Sequence, residues 1–255
     1  MDDAEFDEII SRASDPNLIP GIYNYCDRRC ARCRFTARCL QFRENRHEEA
    51  IGRTANLSVG QAVARSLERS LDILRIIGRR IGLGLTGDQE TGGSSRERVV
   101  LKDGIDAEEA DATADPLVVR ARDYATTTWP IVRALRPVLD VRAEAVLLEA
   151  LDTLEWSSTS ITAKVFRAVW TTAEDRLEGD EVQNDANGSV KVARLMIDEA
   201  RRAWRTLMEP GQATADGLPA RLVMLLDELD AGLEARFPRA MDFVRPGFDT
   251  GQTAA

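Results

Sequence analysis

All four cysteines of this 255-residue chain, Cys26, Cys30, Cys33 and Cys39, fall within fourteen consecutive positions. Their spacing is C-x3-C-x2-C-x5-C. No other feature constrains the chain as strongly. The opening residues, Met1-Asp2-Asp3-Ala4-Glu5-Phe6-Asp7-Glu8, hold neither a basic nor an apolar stretch and do not read as a signal peptide. No run approaches the ~18 apolar residues that span a bilayer. A cytoplasmic protein without membrane attachment is therefore expected. In that reducing compartment, clustered cysteines favour metal over disulfides.

Four thiolates drawn from so short a loop suit a compact multi-iron centre in which each sulfur binds its own iron. The expectation is a [4Fe-4S] cluster held by Cys26, Cys30, Cys33 and Cys39. Structural zinc more often takes two short pairs separated by a longer loop. Only two residues separate Cys30 from Cys33, so Zn2+ is the alternative. The Cys30-x2-Cys33-x5-Cys39 portion is similar to iron–sulfur loops of several DNA-repair glycosylases and Cas4-like nucleases, over that loop alone. Cys26, Cys30 and Cys33 also match the spacing of radical SAM enzymes. Those enzymes usually place an aromatic where Arg32 stands here, and they need a strand–helix alternation that this sequence lacks.

The chain carries a net charge of −9 and is no general coat for nucleic acid. Between Cys26 and Arg46 the balance reverses to +5: seven arginines stand against Asp27 and Glu44. Arg28, Arg29, Arg32, Arg34 and Arg38 lie among or beside the cysteines. They suit two roles. Guanidiniums offset the negative charge of metal-bound thiolates and keep thiol pKa values low. Alternatively, they contact phosphates of a nucleic acid or an acidic partner. Aromatic residues, at 5%, are too sparse for a base-stacking surface built on many rings. The single histidine, His47, excludes mechanisms that need two and weakens any Ser-His-Asp or Cys-His proposal. It reads as a solvated residue at a helix start. No Glu-x-x-His is present, which argues against a ferritin-like di-iron centre.

The rest of the chain reads as helices. An acidic helix is predicted over 3–13, broken by Asp15-Pro16 and Pro20-Gly21. Leu67, Leu71, Leu74, Ile77 and Ile81 recur at helical steps within about 47–83. Further helices are expected over about 116–135, with Pro130 kinking or ending the first, and over 141–177, 189–208 and 219–237. Gly82-Leu83-Gly84-Leu85-Thr86-Gly87 matches G-x-G-x-x-G but follows a helix, so it reads as a helix stop. Asp185-Ala186-Asn187-Gly188-Ser189 reads as a turn before an N-cap at Ser189; the alternative is a small polar site with Lys191 and Asp198 on the following helix. Glu155, Lys164 and Asp175 are predicted to be ordinary surface charge, with a buried functional pair as the sharper reading. The expected architecture is an all-α helical bundle with an N-terminal metal-binding loop. Residues 1–46 carry the first helix and the cysteines, 47–249 form the bundle with a flexible loop at 86–114, and 250–255 form a disordered tail.

Three stretches together resemble an uncharacterised bacterial family of hypothetical proteins with an N-terminal four-cysteine motif. They are Gly21-Ile22-Tyr23-Asn24-Tyr25 leading into the cysteines, the turn from Asp185 to Lys191, and Phe237-Pro238 through Arg245-Pro246-Gly247-Phe248-Asp249. The resemblance spans most of the chain and implies no activity. Arg29 and Arg34 stand where the family pattern leads one to expect Trp and Pro. The functions in view are electron transfer or redox sensing with a redox partner, a zinc-stabilised adaptor for a protein partner, and nucleic-acid binding through the arginine-rich loop.

Overall fold

The computed structural model describes residues 2–54, 58–81, 111–142, 144–173, 180–208 and 217–249. The fold is all-α, and no strand occurs among the described residues. The main helices are α1 (Asp3–Ala13), α2 (Leu40–Thr54), α3 (Val59–Arg80), α4 (Pro116–Arg142), α5 (Ala145–Ala173), α6 (Asp185–Leu207) and α7 (Leu218–Arg236). Short 3₁₀ turns occur at Ile22–Asn24, Cys30–Arg32, Thr36–Arg38 and Ala240–Asp242. No helix among the described residues is long and apolar enough to cross a membrane. The described residues divide into two compact units. One lies within Met1–Asn24, Arg28–Ser94 and Pro246–Ala255, the other within Tyr25–Asp27 and Ser95–Arg245. The boundary read from sequence at 46/47 falls inside α2, and the unit that holds α2 and α3 also holds the cysteine segment from Arg28 onward.

The second unit is a bundle of α4 to α7. Leu151, Leu154, Ile161 and Val165 of α5 and Val190, Ala193, Ile197 and Trp204 of α6 are wholly buried. Leu222, Leu226, Leu229 and Leu233 place one apolar stripe of α7 in the same core, and α4 adds Ala121, Tyr124, Val132 and Leu139. Each such leucine contributes about 1.5–3 kcal/mol when fully buried. Asp115 accepts a hydrogen bond from the Leu117 amide at the start of α4 (2.9 Å) and another from Arg236 at the end of α7 (2.5 Å).

Three sequence expectations are corrected in this unit. Helix α4 does not end at Pro130; it runs through Pro130 and Pro137 to Arg142. Both prolines are exposed, so each lost backbone bond faces water, and buried Tyr124, Thr128, Val132 and Leu139 hold the helix across both positions. Residues 111–114, placed in a flexible loop by the sequence, are helical, and Ala112 is buried in the core. The rest of that segment, 86–110, lies outside the described residues, as do Gly82 to Gly87, Asp175 and the tail 250–255. Helix α6 begins at Asp185, not after Ser189, because the Asn184 side chain accepts the Asn187 amide (2.9 Å) and caps it.

The first unit is held largely by charge. Asp2 and Glu5 form a capping box at the start of α1, as Ser58 and Gln61 do at the start of α3. Arg12 of α1 grips Glu44 of α2 through two hydrogen bonds (2.9 and 3.2 Å). Arg69 of α3 pairs with Glu44 and Glu48, and Arg80 pairs with Asp7 at 2.7 Å while covering the buried Phe6 ring. The apolar positions Leu67, Leu71, Leu74 and Ile77 of α3, and Ile81 just after it, are exposed.

Candidate functional site

The cysteine loop is built on a small apolar cluster. Ile19, Ile22 and Phe35 are buried together, and Cys33, Cys39 and Phe248 pack against them half-buried. Phe248 meets Phe35 edge to face at 5.2 Å. Gly247 adopts φ 77°, a left-handed conformation suited to glycine, and a β-carbon there would meet Ile19 and Ile22 at 3.0 Å. The Pro246-Gly247-Phe248 stretch is thus a structural support of the loop. At its other end, Ile19 donates to the Arg38 carbonyl (2.9 Å), Arg38 donates through Nε to the Asn17 carbonyl (2.9 Å), and Arg43 pairs with Asp15 (2.6 Å). The Arg43 bond and the Asn17 amide hold the Asp15 carboxyl below the usual carboxylate range.

Within this frame the cysteines sit at turn boundaries. The Cys33 amide donates to the Cys30 carbonyl (3.2 Å) and closes one 3₁₀ turn; the Cys39 amide donates to the Thr36 carbonyl (3.3 Å) and closes the next. The Phe35 amide donates to Cys33 Sγ at 3.4 Å. Arg28 has φ 60°, a left-handed conformation that costs a residue with a β-carbon, in the link between Cys26 and Cys30. All four cysteines are half-buried thiols outside any disulfide. Among the described residues, no group of three or more His, Cys, Asp or Glu side chains is arranged to hold a metal ion.

Cys26 belongs to the short segment Tyr25–Asp27, which groups with the second unit. There the Tyr25 hydroxyl donates to Asp185 (3.1 Å), and Arg167 clamps the same carboxylate with bonds of 2.7 and 2.6 Å. The Tyr25 ring lies 4.6 Å from that of Phe243, and Trp156 Nε1 donates to the Asp27 carbonyl at 2.5 Å. Lys191 donates to the Phe243 carbonyl (2.6 Å) and so supports the turn at Ala240–Asp242. The aromatics Tyr25 and Phe243 meet at the start of α6, which gives the sequence stretches around 25, 185–191 and 243 one shared structural task.

Of the loop arginines, Arg28, Arg32 and Arg34 are exposed, while Arg29 and Arg38 are half-buried. Arg34 lies over the Phe35 ring at 4.7 Å. The exposed three present positive charge on the side of the loop that faces water. His47 is not at a helix start but inside α2, exposed, and it lines a cavity of about 310 Å³ with Glu8, Arg12, Arg65, Glu68 and Arg69. Nothing in residue spacing signals this cavity, since its lining comes from three separate helices. Glu155 pairs with Arg136 at 2.7 Å and is surface charge. The chain matches no protein-family model, no curated protein and no solved structure.

Proposed function

We propose that the loop binds a metal centre through Cys26, Cys30, Cys33 and Cys39, and that this centre is a [4Fe-4S] cluster serving electron transfer or redox sensing in the cytosol. The observation that carries this reading is the environment of Cys33. Its sulfur accepts a backbone N–H bond and rests against an apolar cluster, within fourteen residues that contain all four thiols. Hydrogen bonds to sulfur and a dry surround are the means by which a protein sets the potential of such a cluster. The donor set fits soft metal chemistry, because it is thiol only. When bound, such a cluster would supply a one-electron step. Cys33 and the Phe35 amide would tune it, and Arg28, Arg32 and Arg34 would offset its negative charge and offer a contact for an acidic redox partner.

The Cys30–Arg32 turn, closed from Cys33 to Cys30, favours a second reading in which the loop holds one zinc and presents its arginines to a protein or nucleic acid. Anaerobic purification followed by metal and sulfide analysis separates the two. About four irons and four sulfides per chain, with visible absorption lost in air, support the cluster. One zinc in a colourless protein supports the second reading. A protein without either metal, whose four thiols all react with a thiol reagent as purified, overturns both.

A further inference from the structure

Among the four cysteines, the backbone sets one pair side by side. Arg32 donates to the Arg29 carbonyl (3.0 Å) and Cys33 to the Cys30 carbonyl (3.2 Å), two successive bonds that make the 3₁₀ turn at Cys30–Arg32. Such a turn repeats every three residues, so side chains three apart lie one above the other. Its closing bond also brings the first and fourth Cα within about 7 Å. A disulfide needs Cα atoms about 4.4–6.8 Å apart with converging β-carbons. Cys30 and Cys33 are the first and fourth residues of this turn. The neighbouring cysteines are related differently. From Cys26 to Cys30 the chain passes through Arg28 in its left-handed conformation, and the Cys30 amide donates to the Arg28 carbonyl (2.9 Å), so no helical turn joins the two. The next 3₁₀ turn pairs Cys39 with Thr36 instead.

The surroundings suit a reaction at this pair. Both thiols are half-buried and outside any disulfide, so a small reagent can reach them. The Phe35 amide and the cluster of Ile19, Ile22 and Phe35 hold Cys33 from behind and give its sulfur a defined place. Arg28, Arg32 and Arg34, which stand before, between and after the two cysteines, are exposed. A reagent approaching the turn meets positive charge first, which favours an anionic one.

We propose that Cys30 and Cys33 form a reversible disulfide by exchange with a small anionic disulfide. One cysteine thiolate attacks a sulfur of the small disulfide, whose S–S bond breaks and releases one thiolate. The other cysteine then attacks the protein sulfur of this mixed disulfide and expels the second thiolate. The two cysteines lose two electrons and two protons, and the small disulfide gains both as two thiols. A transient disulfide of this kind is the sort that a reducing compartment admits. Its consequence rests on the proposed reading of the loop as a metal site. Sulfurs joined to each other have no thiolate to give, so the disulfide and the metal centre exclude one another, and the state of the pair decides whether the loop loads metal.

The test uses the full chain, stripped of metal by a chelator under argon and equilibrated with mixtures of oxidised and reduced glutathione. Remaining thiols are alkylated and mapped by peptide mass spectrometry. The expected result is a Cys30–Cys33 disulfide that forms with oxidised glutathione and is lost in excess reduced glutathione, with Cys26 and Cys39 alkylated throughout. Cys30→Ser and Cys33→Ser should each stop at the mixed disulfide, with wild-type helical content by circular dichroism. At low salt, oxidised glutathione, an anion, should react at least about threefold faster than the cationic disulfide cystamine, and Arg32→Glu with Arg34→Glu should remove that preference. Absence of the Cys30–Cys33 disulfide at every glutathione ratio overturns the proposal. So does a disulfide that includes Cys26 or Cys39, or a rate indifferent to the charge of the reagent. Iron and zinc are then offered to the oxidised and the reduced chain. Uptake by the reduced chain alone supports the mutual exclusion, and equal uptake by both overturns it. A reduced chain that takes up neither metal ends the metal reading of the loop, while the mapped disulfide stands on its own.

Discussion

Gly188 lies directly against the ring of Tyr25. A β-carbon at 188 would sit 2.5 Å from Cδ1 of Tyr25 and 2.8 Å from Cζ of Phe243. Both obstacles are aromatic rings that are themselves held, Tyr25 by Asp185 and Phe243 through its carbonyl by Lys191. Gly188→Ala should therefore destabilise the second unit by roughly 1–3 kcal/mol, the range for overpacking a fixed site, despite the better helix propensity of alanine. Gly232→Ala in α7 is the contrast. Its β-carbon meets only the end of the Leu117 side chain at 2.6 Å, which can turn aside. The change there should stay within about 1 kcal/mol of wild type. Denaturant unfolding of both variants checks the difference, and equal effects would show that Tyr25 yields freely.

The same tyrosine gives a pH signature. Burial first, and then the Asp185 carboxylate, push the Tyr25 phenol up to about 12, and burial pushes Tyr124 up to about 12 as well. An ordinary phenol ionises at about 10. Between those values the unfolded chain has lost protons that the folded chain keeps, so stability must fall as pH rises. The contribution is fully present below about pH 10 and disappears as pH passes through the folded value near 12. Unfolding free energies measured at about pH 9 and about pH 11 should show this drop. In Tyr25→Phe with Tyr124→Phe the drop should be smaller. A profile identical to wild type would remove these phenols as its source.

Periodicity alone makes most of the helices legible. Residues 3–13 form α1 as predicted, and the apolar stripe of α7 lies where leucine spacing puts it. The places where sequence and structure part share a cause: a distant partner overrules a local signal. Asn187 and Gly188 read as a turn, yet α6 is capped already at Asn184, and Gly188 fits inside the helix under the distant Tyr25 ring. Pro130 reads as a kink or a stop, yet burial of Tyr124 and Val132 on either side carries α4 through it. For α3, periodicity identifies the helix and its apolar face, but not what covers that face. For the cysteine loop, spacing identifies the thiols. It contains nothing of the cluster beneath them, which is assembled from Ile19, Phe35 and the far C-terminal Phe248.

The bundle and the loop should therefore respond separately to loss of a thiol. No cysteine side chain contributes to the main core of α4 to α7. Cys33→Ser removes the sulfur that accepts the Phe35 amide and, on the proposed metal reading, should lower bound metal to well below half of wild type. Helical content should change little, and unfolding of the second unit should stay within about 0.5 kcal/mol. Metal analysis and circular dichroism on the same preparation provide the check. Cooperative loss of the whole fold would mean that the metal centre organises far more of the chain than its own loop.

The start of α6 supplies a prediction whose sign is diagnostic. Sequence alone assigns the N-cap to Ser189, and a capping serine replaced by alanine costs about 1 kcal/mol. In the structure the cap is Asn184, whose Oδ1 accepts the Asn187 amide and whose Nδ2 donates to the Glu181 carbonyl (3.0 Å). Ser189 is instead wholly buried one turn into the helix, and its hydroxyl finds no hydrogen-bond partner among the described residues. A buried hydroxyl of that kind carries a desolvation cost without return. Ser189→Ala should thus be neutral or stabilise the protein by up to about 1 kcal/mol, with helix propensity acting in the same direction. Asn184→Ala should destabilise by about 1–2 kcal/mol, since it removes the cap together with one of the two side-chain bonds to the Glu181 carbonyl, the one from Asn187 remaining. Thermal unfolding of the two variants decides between the assignments: a loss at 189 with no loss at 184 would move the start of α6 back to the position read from sequence.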